Sequence, residues 1–347
     1  MSDHTPGFTG LVDLAAASLG GRAIGTSDDF FAPMSNLVAP GRGVFVEGKF
    51  TDHGKWMDGW ESRRKRDLGP GAHDWCVLEL GAPGRVLGLD IDTNHFAGNC
   101  PQFASVDGLR APPGTPVADL VAMPWQELLA PAPLRPTAQN LFAVVAAPTV
   151  SHLRLNIFPD GGVARLRAFG HIDADWSRPA LDEETAAHVT SDLVDLAAVR
   201  NGGLALVCSD AFFGPMNNLL LPGRAENMGG GWETRRKRGP GHDWIVLRLG
   251  ARGVASVLEV DTNHFKGNYP DRCSVEWIDA PGARIPDLVT SGQWSLLLPE
   301  SKLGAHSRHF FPPLRPLATD RSPATHVRVN IFPDGGLSRV RVWGARS

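Results

Sequence analysis

The chain has 347 residues, enough for two ordinary domains with separate cores. Hydrophobic residues make up 42% and charged residues 20%, the balance of a soluble globular protein, and 34 basic against 37 acidic residues leave a net charge of −3. That excludes a general attraction for nucleic acid or anionic lipid, so basic runs have to be read as local features.

The N-terminus carries no cationic region, and its first apolar stretch, Leu11 to Leu19, contains Asp13. A secretory signal is not expected. The run closest to a membrane span, Leu141 to Val150, falls short of the ~18 apolar residues required. The cysteines are Cys76, Cys100, Cys208 and Cys273, none in a C-x-x-C spacing. They point to reduced thiols in a cytoplasmic protein, with neither a disulfide framework nor a structural zinc.

An internal repeat organises the chain. Asp13-Leu14-Ala15-Ala16 returns as Asp195-Leu196-Ala197-Ala198, and Ser27-Asp28 with Phe30-Phe31 returns as Ser209-Asp210 with Phe212-Phe213. Pro40-Gly41-Arg42 returns as Pro222-Gly223-Arg224. Between Arg42 and Trp60 the first copy carries extra sequence, about Gly43 to Met57, where the second has only Ala225 to Gly231. Trp60-Glu61-Ser62-Arg63-Arg64-Lys65-Arg66 then returns as Trp232-Glu233-Thr234-Arg235-Arg236-Lys237-Arg238. His73-Asp74-Trp75 returns as His242-Asp243-Trp244, and Asp92-Thr93-Asn94-His95-Phe96 as Asp261-Thr262-Asn263-His264-Phe265. No cysteine is repeated: Ile245, Tyr269, Thr26 and Ala104 stand opposite the four. The period is that of a whole domain.

The segments between read as short strands. Trp75 to Leu80, Val86 to Ile91 and their counterparts are apolar or alternating, and Leu153, Leu155 and Ile157 alternate with Arg154 and Asn156. Pro159-Asp160-Gly161-Gly162 supplies a turn, with Val163 to Phe169 expected to return as the partner strand. Helices are expected only in Leu11 to Leu19, Asp119 to Leu129 and Glu183 to Val199. The fold class is all-β, two tandem jelly-roll sandwiches at 1–175 and 183–347, joined through a polar stretch that contains Arg178-Pro179.

Each motif has a plain reading beside a functional one. The Arg-Arg-Lys-Arg runs are either solvated loops or a fork-shaped donor set for a planar anion. Asp-Thr-Asn-His-Phe is either an Asx turn or a source of His for proton transfer and Asn for a developing oxyanion. Asp28 and Asp210 are turn residues or partly desolvated acids. Asp90, Asp92 and His95, against Glu259, Asp261 and His264, match no standard metal motif. Gly43 to Lys49 resembles a phosphate-binding loop, but Phe50 stands where Ser or Thr should be. No nucleophile elbow is present, so covalent catalysis has no candidate.

Taken together, the duplicated motifs and the Asn-Ile-Phe-Pro-Asp-Gly-Gly segments at 156–162 and 330–336 resemble the allantoicase family over essentially the whole chain. The resemblance implies two galactose-binding-like jelly rolls and hydrolysis of allantoate to ureidoglycolate and urea. On that footing, the Arg63/Arg64 and Arg235/Arg236 pairs are expected to clamp the carboxylate. His95 or His264 is expected to protonate the leaving nitrogen, and Glu61 or Glu233 to guide water. Asn94, Asn263, Asp28 and Asp210 complete the expected binding set. No metal and no cofactor are expected. The expected partner is the small-molecule substrate, with no nucleic acid and no membrane; a homo-oligomer stays open.

Overall fold

One 19-residue strand links the two layers of each unit. In the first unit it runs Asp74–Asp92. Its first half pairs with Arg22–Thr26 on one side and with Thr149–Phe158 on the other. Its second half pairs with Arg165–Ile172 and Gln139–Ala143. The partners change across Gly81-Ala82-Pro83-Gly84, where a Cβ on either glycine would meet the neighbouring backbone, as at Gly250 and Gly253 in the second unit. Thr149–Phe158 extends the first layer to Phe103–Leu109 and Gln126–Pro133. The core between the layers draws on both halves of the long strand, with Cys76 and Leu78 from one and Leu89 and Ile91 from the other. Leu153, Leu155, Ile157 and Leu166 fill the space between them.

The structure, a computed structural model, describes residues 6–66, 68–145, 148–177, 180–311 and 322–347. The chain divides into two compact units, Met1–Asp173 and Ala174–Ser347. Arg178-Pro179, expected in the joining stretch, and Ala146-Ala147 of the long apolar run lie outside the described residues. The second unit repeats the plan around Asp243–Asp261, flanked by Leu204–Cys208, Ala324–Phe332, Arg339–Arg346 and Arg308–Phe311. No helix among the described residues is long and apolar enough to cross a membrane.

Two expectations about local structure are overturned. Thr149–Phe158 and Arg165–Ile172 are not hairpin partners; the first pairs mainly with 74–79 of the long strand and the second with 84–92. The Pro159 to Gly162 turn carries the chain from one layer to the other, so the alternating pattern was right and the pairing was not. The helices are shorter than expected. Leu11 to Leu19 holds Val12–Asp13 as strand and one 3-10 turn, Ala17–Leu19. Asp119 to Leu129 is helical only within Val117–Ala122, and Glu183 to Val199 only over Glu183–Ala186. In each case pairing to the sheet wins over local helix propensity.

Close packing beside the acidic residue of each unit depends on glycine. Phe96 and Phe265 are fully buried, and their rings lie directly against Gly59 and Gly162, and Gly231 and Gly336. A Cβ on Gly336 would fall inside the Phe265 ring. Gly336→Ala is therefore expected to lower unfolding stability by about 1–3 kcal/mol or more, read as a lower midpoint in thermal or urea unfolding. An unchanged midpoint would mean that the ring has room to move.

Candidate active site

The acidic residue of each unit is positioned by the tryptophan before it. Trp60 is fully buried and its Nε1 donates to the Asp28 carbonyl at 2.8 Å. Successive residues of a strand face opposite ways, so an inward Trp60 turns Glu61 outward. The short strand Trp60–Glu61 is gripped on both sides, by Gly162–Val163 and by Ala32. Trp232–Glu233 is gripped in the same way by Gly336–Leu337 and Gly214, and Trp232 Nε1 donates to the Asp210 carbonyl at 2.8 Å.

In the first unit Glu61 opens into a cleft of about 1030 Å³ whose walls include Arg63, Arg64, Lys65, Arg66, Asn99 and Asp74. Burial raises the Glu61 carboxyl above its ordinary value, partly offset by a hydrogen bond from Asn99 Nδ2 at 2.7 Å. The four cations are not equivalent. Arg63 Nε pairs with Asp28 at 2.6 Å, and Lys65 Nζ with Asp74 at 2.7 Å. Arg64 and Arg66 are exposed and make no ion pair among the described residues. Asp74 also accepts from Ser27 Oγ at 2.8 Å, and Asp160 accepts the Lys65 amide at 2.8 Å, which fixes the backbone of the basic run. Asp28 is held below its usual range. Its partial burial works the other way, but the Phe30 amide and the guanidinium and amide of Arg63 outweigh it. Its oxygens accept from the Arg63 amide and guanidinium, so it orients that side chain.

The second unit builds the same wall. Asn268 Nδ2 donates to Glu233 at 2.5 Å, Lys237 Nζ pairs with Asp243 at 3.0 Å, and the Lys237 amide donates to Asp334 at 2.7 Å. Arg235 lies 3.7 Å from Asp210 and over the Phe212 ring at 4.1 Å. Arg236 is exposed, like Arg64.

The histidines and asparagines of Asp-Thr-Asn-His-Phe do not join these walls. His95 and His264 have φ of 68° and 70°, the left-handed conformation that closes a tight turn and sends the next residue, Phe, into the core. The exposed His95 ring lies 5.8 Å from the Phe45 ring and is not among the residues lining the cleft. His264 Nε2 is bonded to the Ala225 carbonyl at 2.9 Å. Asn94 donates to the Gly43 carbonyl at 2.9 Å and Asn263 to the Ala225 carbonyl at 3.1 Å. Asp92 takes Arg42 in a two-pronged pair at 2.8 and 2.9 Å, and Asp261 takes Arg224 at 3.1 and 3.2 Å. The motif is thus a clasp that ties the loop after Arg42 or Arg224 to the end of the long strand. Sequence reasoning missed Lys65, Asp74 and Asn99. The signal was present, because Lys237, Asp243 and Asn268 occupy the same places in the second copy.

Comparison with known proteins bears directly on the repeat. The family model described as the allantoicase repeat matches residues 12–173 and 194–347. The chain belongs to the allantoicase family. It is 46% identical to the probable allantoicase 1 of Burkholderia mallei over 98% of this chain and 96% of that one. It is also 46% identical to the probable allantoicase of Photobacterium profundum, over 98% of each chain. The crystal structure of allantoicase from Saccharomyces cerevisiae matches with a TM-score of 0.77 at 33% identity, covering 96% of this chain and 93% of that one. The duplicated architecture is that of two allantoicase repeats.

The clasp makes a prediction of its own. Asn263→Ala removes one of two side-chain partners of the Ala225 carbonyl, His264 Nε2 being the other, so unfolding stability is expected to drop by about 0.5–1.5 kcal/mol. Substrate affinity is expected to stay within about twofold of wild type, because the side chain is engaged by the Ala225 carbonyl. A large rise in KM without loss of stability would return Asn263 to the binding set.

Proposed function

We propose that the chain hydrolyses allantoate to ureidoglycolate and urea, and that the chemistry takes place on the Glu61 wall. The observation that carries this placement is the half-buried Glu61 with a raised pKa, beside two guanidinium groups that no carboxylate of the described residues neutralises. Allantoate carries one carboxylate and two ureido groups on a single carbon. Arg64 and Arg66 face the carboxylate, whose geometry suits paired guanidinium donors. Glu61 in its ionised form takes a proton from water as the oxygen bonds to the central carbon. The C–N bond breaks, and the same carboxyl returns its proton to the departing nitrogen, which leaves as urea. Lys65, held by Asp74, donates to the ureido oxygen, where negative charge builds as that bond breaks. One water is consumed and no proton is gained or lost overall.

This scheme moves the proton transfer from the expected His95 and His264 to Glu61. Acid–base assistance of this kind contributes about 10²–10⁴-fold, so Glu61→Gln is expected to lower kcat by about that factor. The variant His95→Ala with His264→Ala is expected to hold kcat within about threefold. Urea release from allantoate by the purified full chain measures both. Wild-type kcat in Glu61→Gln would remove the cleft from the reaction.

The pH dependence has a definite sign. The base is the deprotonated form, so kcat/KM falls as pH drops through the Glu61 pKa. Burial raises that pKa, so the acid limb is expected above the ordinary carboxylate range. Its disappearance in Glu61→Gln identifies the group. A limb that persists unchanged in that variant belongs to another residue.

A further inference from the structure

We infer that turnover is confined to the first unit, because the inserted hairpin braces Phe30 in its cleft wall, while the second unit lacks that brace and shares the amide that holds its acid with a thioether. The inference rests on the assignment of the Glu61 wall to allantoate hydrolysis and concerns which of the two copies works.

Segment 43–57 has no counterpart of its length in the second unit. It forms an antiparallel pair, Phe50–Thr51 with Gly54–Lys55, that turns through Asp52 and His53. The turn reaches back to the cleft: the His53 ring stacks on Phe30 with centroids 4.1 Å apart and planes at 23°. Phe30 lines the cleft, and the Arg63 guanidinium lies over its ring at 5.1 Å. The hairpin root is fixed by Asp58, which accepts the Val44 amide at 2.9 Å and pairs with the buried Arg165 at 2.8 Å. The hairpin therefore stands on a buried ion pair and bears on a side chain of the cleft wall.

The second unit differs at each of these points. Phe212, in the place of Phe30, is 59% exposed against 41%. The short loop places Met228 Sδ 3.3 Å from Asn268 Nδ2, the same amide that holds Glu233. Asn99 Nδ2 bonds only Glu61 among the described residues. Tyr269 stands where the smaller Cys100 lines the first cleft. The acid of the second unit thus has its positioning amide shared with a thioether and no hairpin bracing the phenylalanine beside it. His53 is a positioning residue. Its ring holds Phe30, and through it Arg63, at the rim, and an aromatic ring of any kind meets that need.

The test measures urea release from allantoate by full-length variants with unchanged melting midpoints. Glu61→Gln is expected to lower kcat at least about 30-fold more than Glu233→Gln. His53→Ala is expected to raise KM about tenfold with a smaller change in kcat, and His53→Phe to return KM to within about twofold of wild type. Replacing 43–57 by the sequence 225–229 is expected to reproduce the His53→Ala effect. Equal losses in the two glutamine variants, or an unchanged KM in His53→Ala, would overturn the inference while leaving the hydrolysis itself in place. A wild-type chain that releases no urea would remove both.

Discussion

The structure depends on the burial of one indole ring in each unit. Trp60 and Trp232 are completely enclosed, and each indole N–H is satisfied by a carbonyl of the Ser-Asp turn. A buried side chain of this size contributes on the order of a few kcal/mol. More importantly, it fixes the direction of everything next to it. Glu61 must face away from the core, the Asp28 turn must lie over the indole, and the basic run that follows must cross the mouth of the sandwich. An exposed Trp at this point would leave the carboxylate free to rotate into solvent, where its pKa would not be raised.

Around that fixed point, charge is arranged in two tiers. The inner tier is neutralised. Asp92 and Asp261 are buried and take a guanidinium each, and Asp74 and Asp243 take a lysine each. Such pairs contribute little net stability beyond repaying the desolvation of their charges, but breaking one leaves a buried charge alone, so they enforce one arrangement. The outer tier is left with positive charge. In the first unit Arg64 and Arg66 face the cleft without a carboxylate partner among the described residues. They stand beside the carboxylates of Glu61 and Asp160, which line the same cleft.

Much of this was legible in the sequence, for identifiable reasons. The repeat was readable because both copies keep the residues that make the sandwich: Trp60 and Trp232, Phe96 and Phe265, the Pro-Asp-Gly-Gly turns. The carboxylate and guanidinium groups of the wall were readable because Glu61, Arg63 and Arg64 sit beside a tryptophan that had to be buried. The direction of the histidines was not readable. It depends on a left-handed φ at His95 and His264, which turns the following Phe inward and leaves the imidazole beside the Arg42 or Arg224 loop. The strand pairing was hidden for a related reason. Alternation shows that Leu153, Leu155 and Ile157 face a core, but not which strand lies alongside, and a turn between layers has the same residues as a hairpin turn.

The division of the cations also bears on what the wall can select. Four positive side chains in one run would attract any polyanion. Pairing Arg63 with Asp28 and Lys65 with Asp74 cancels two of them, which leaves Arg64 and Arg66 beside Asp160 and the ionised Glu61. A doubly or triply charged ligand would meet Asp28, Asp74, Asp160 and Glu61 on the same wall. The paired cations keep their remaining N–H groups, which suit neutral acceptors such as a ureido oxygen. A substrate with one negative charge and several neutral amide groups fits that pattern, and a phosphate or a dicarboxylate does not. The acidic residues of the wall thus act as a filter on charge as well as a means of holding the cations in place.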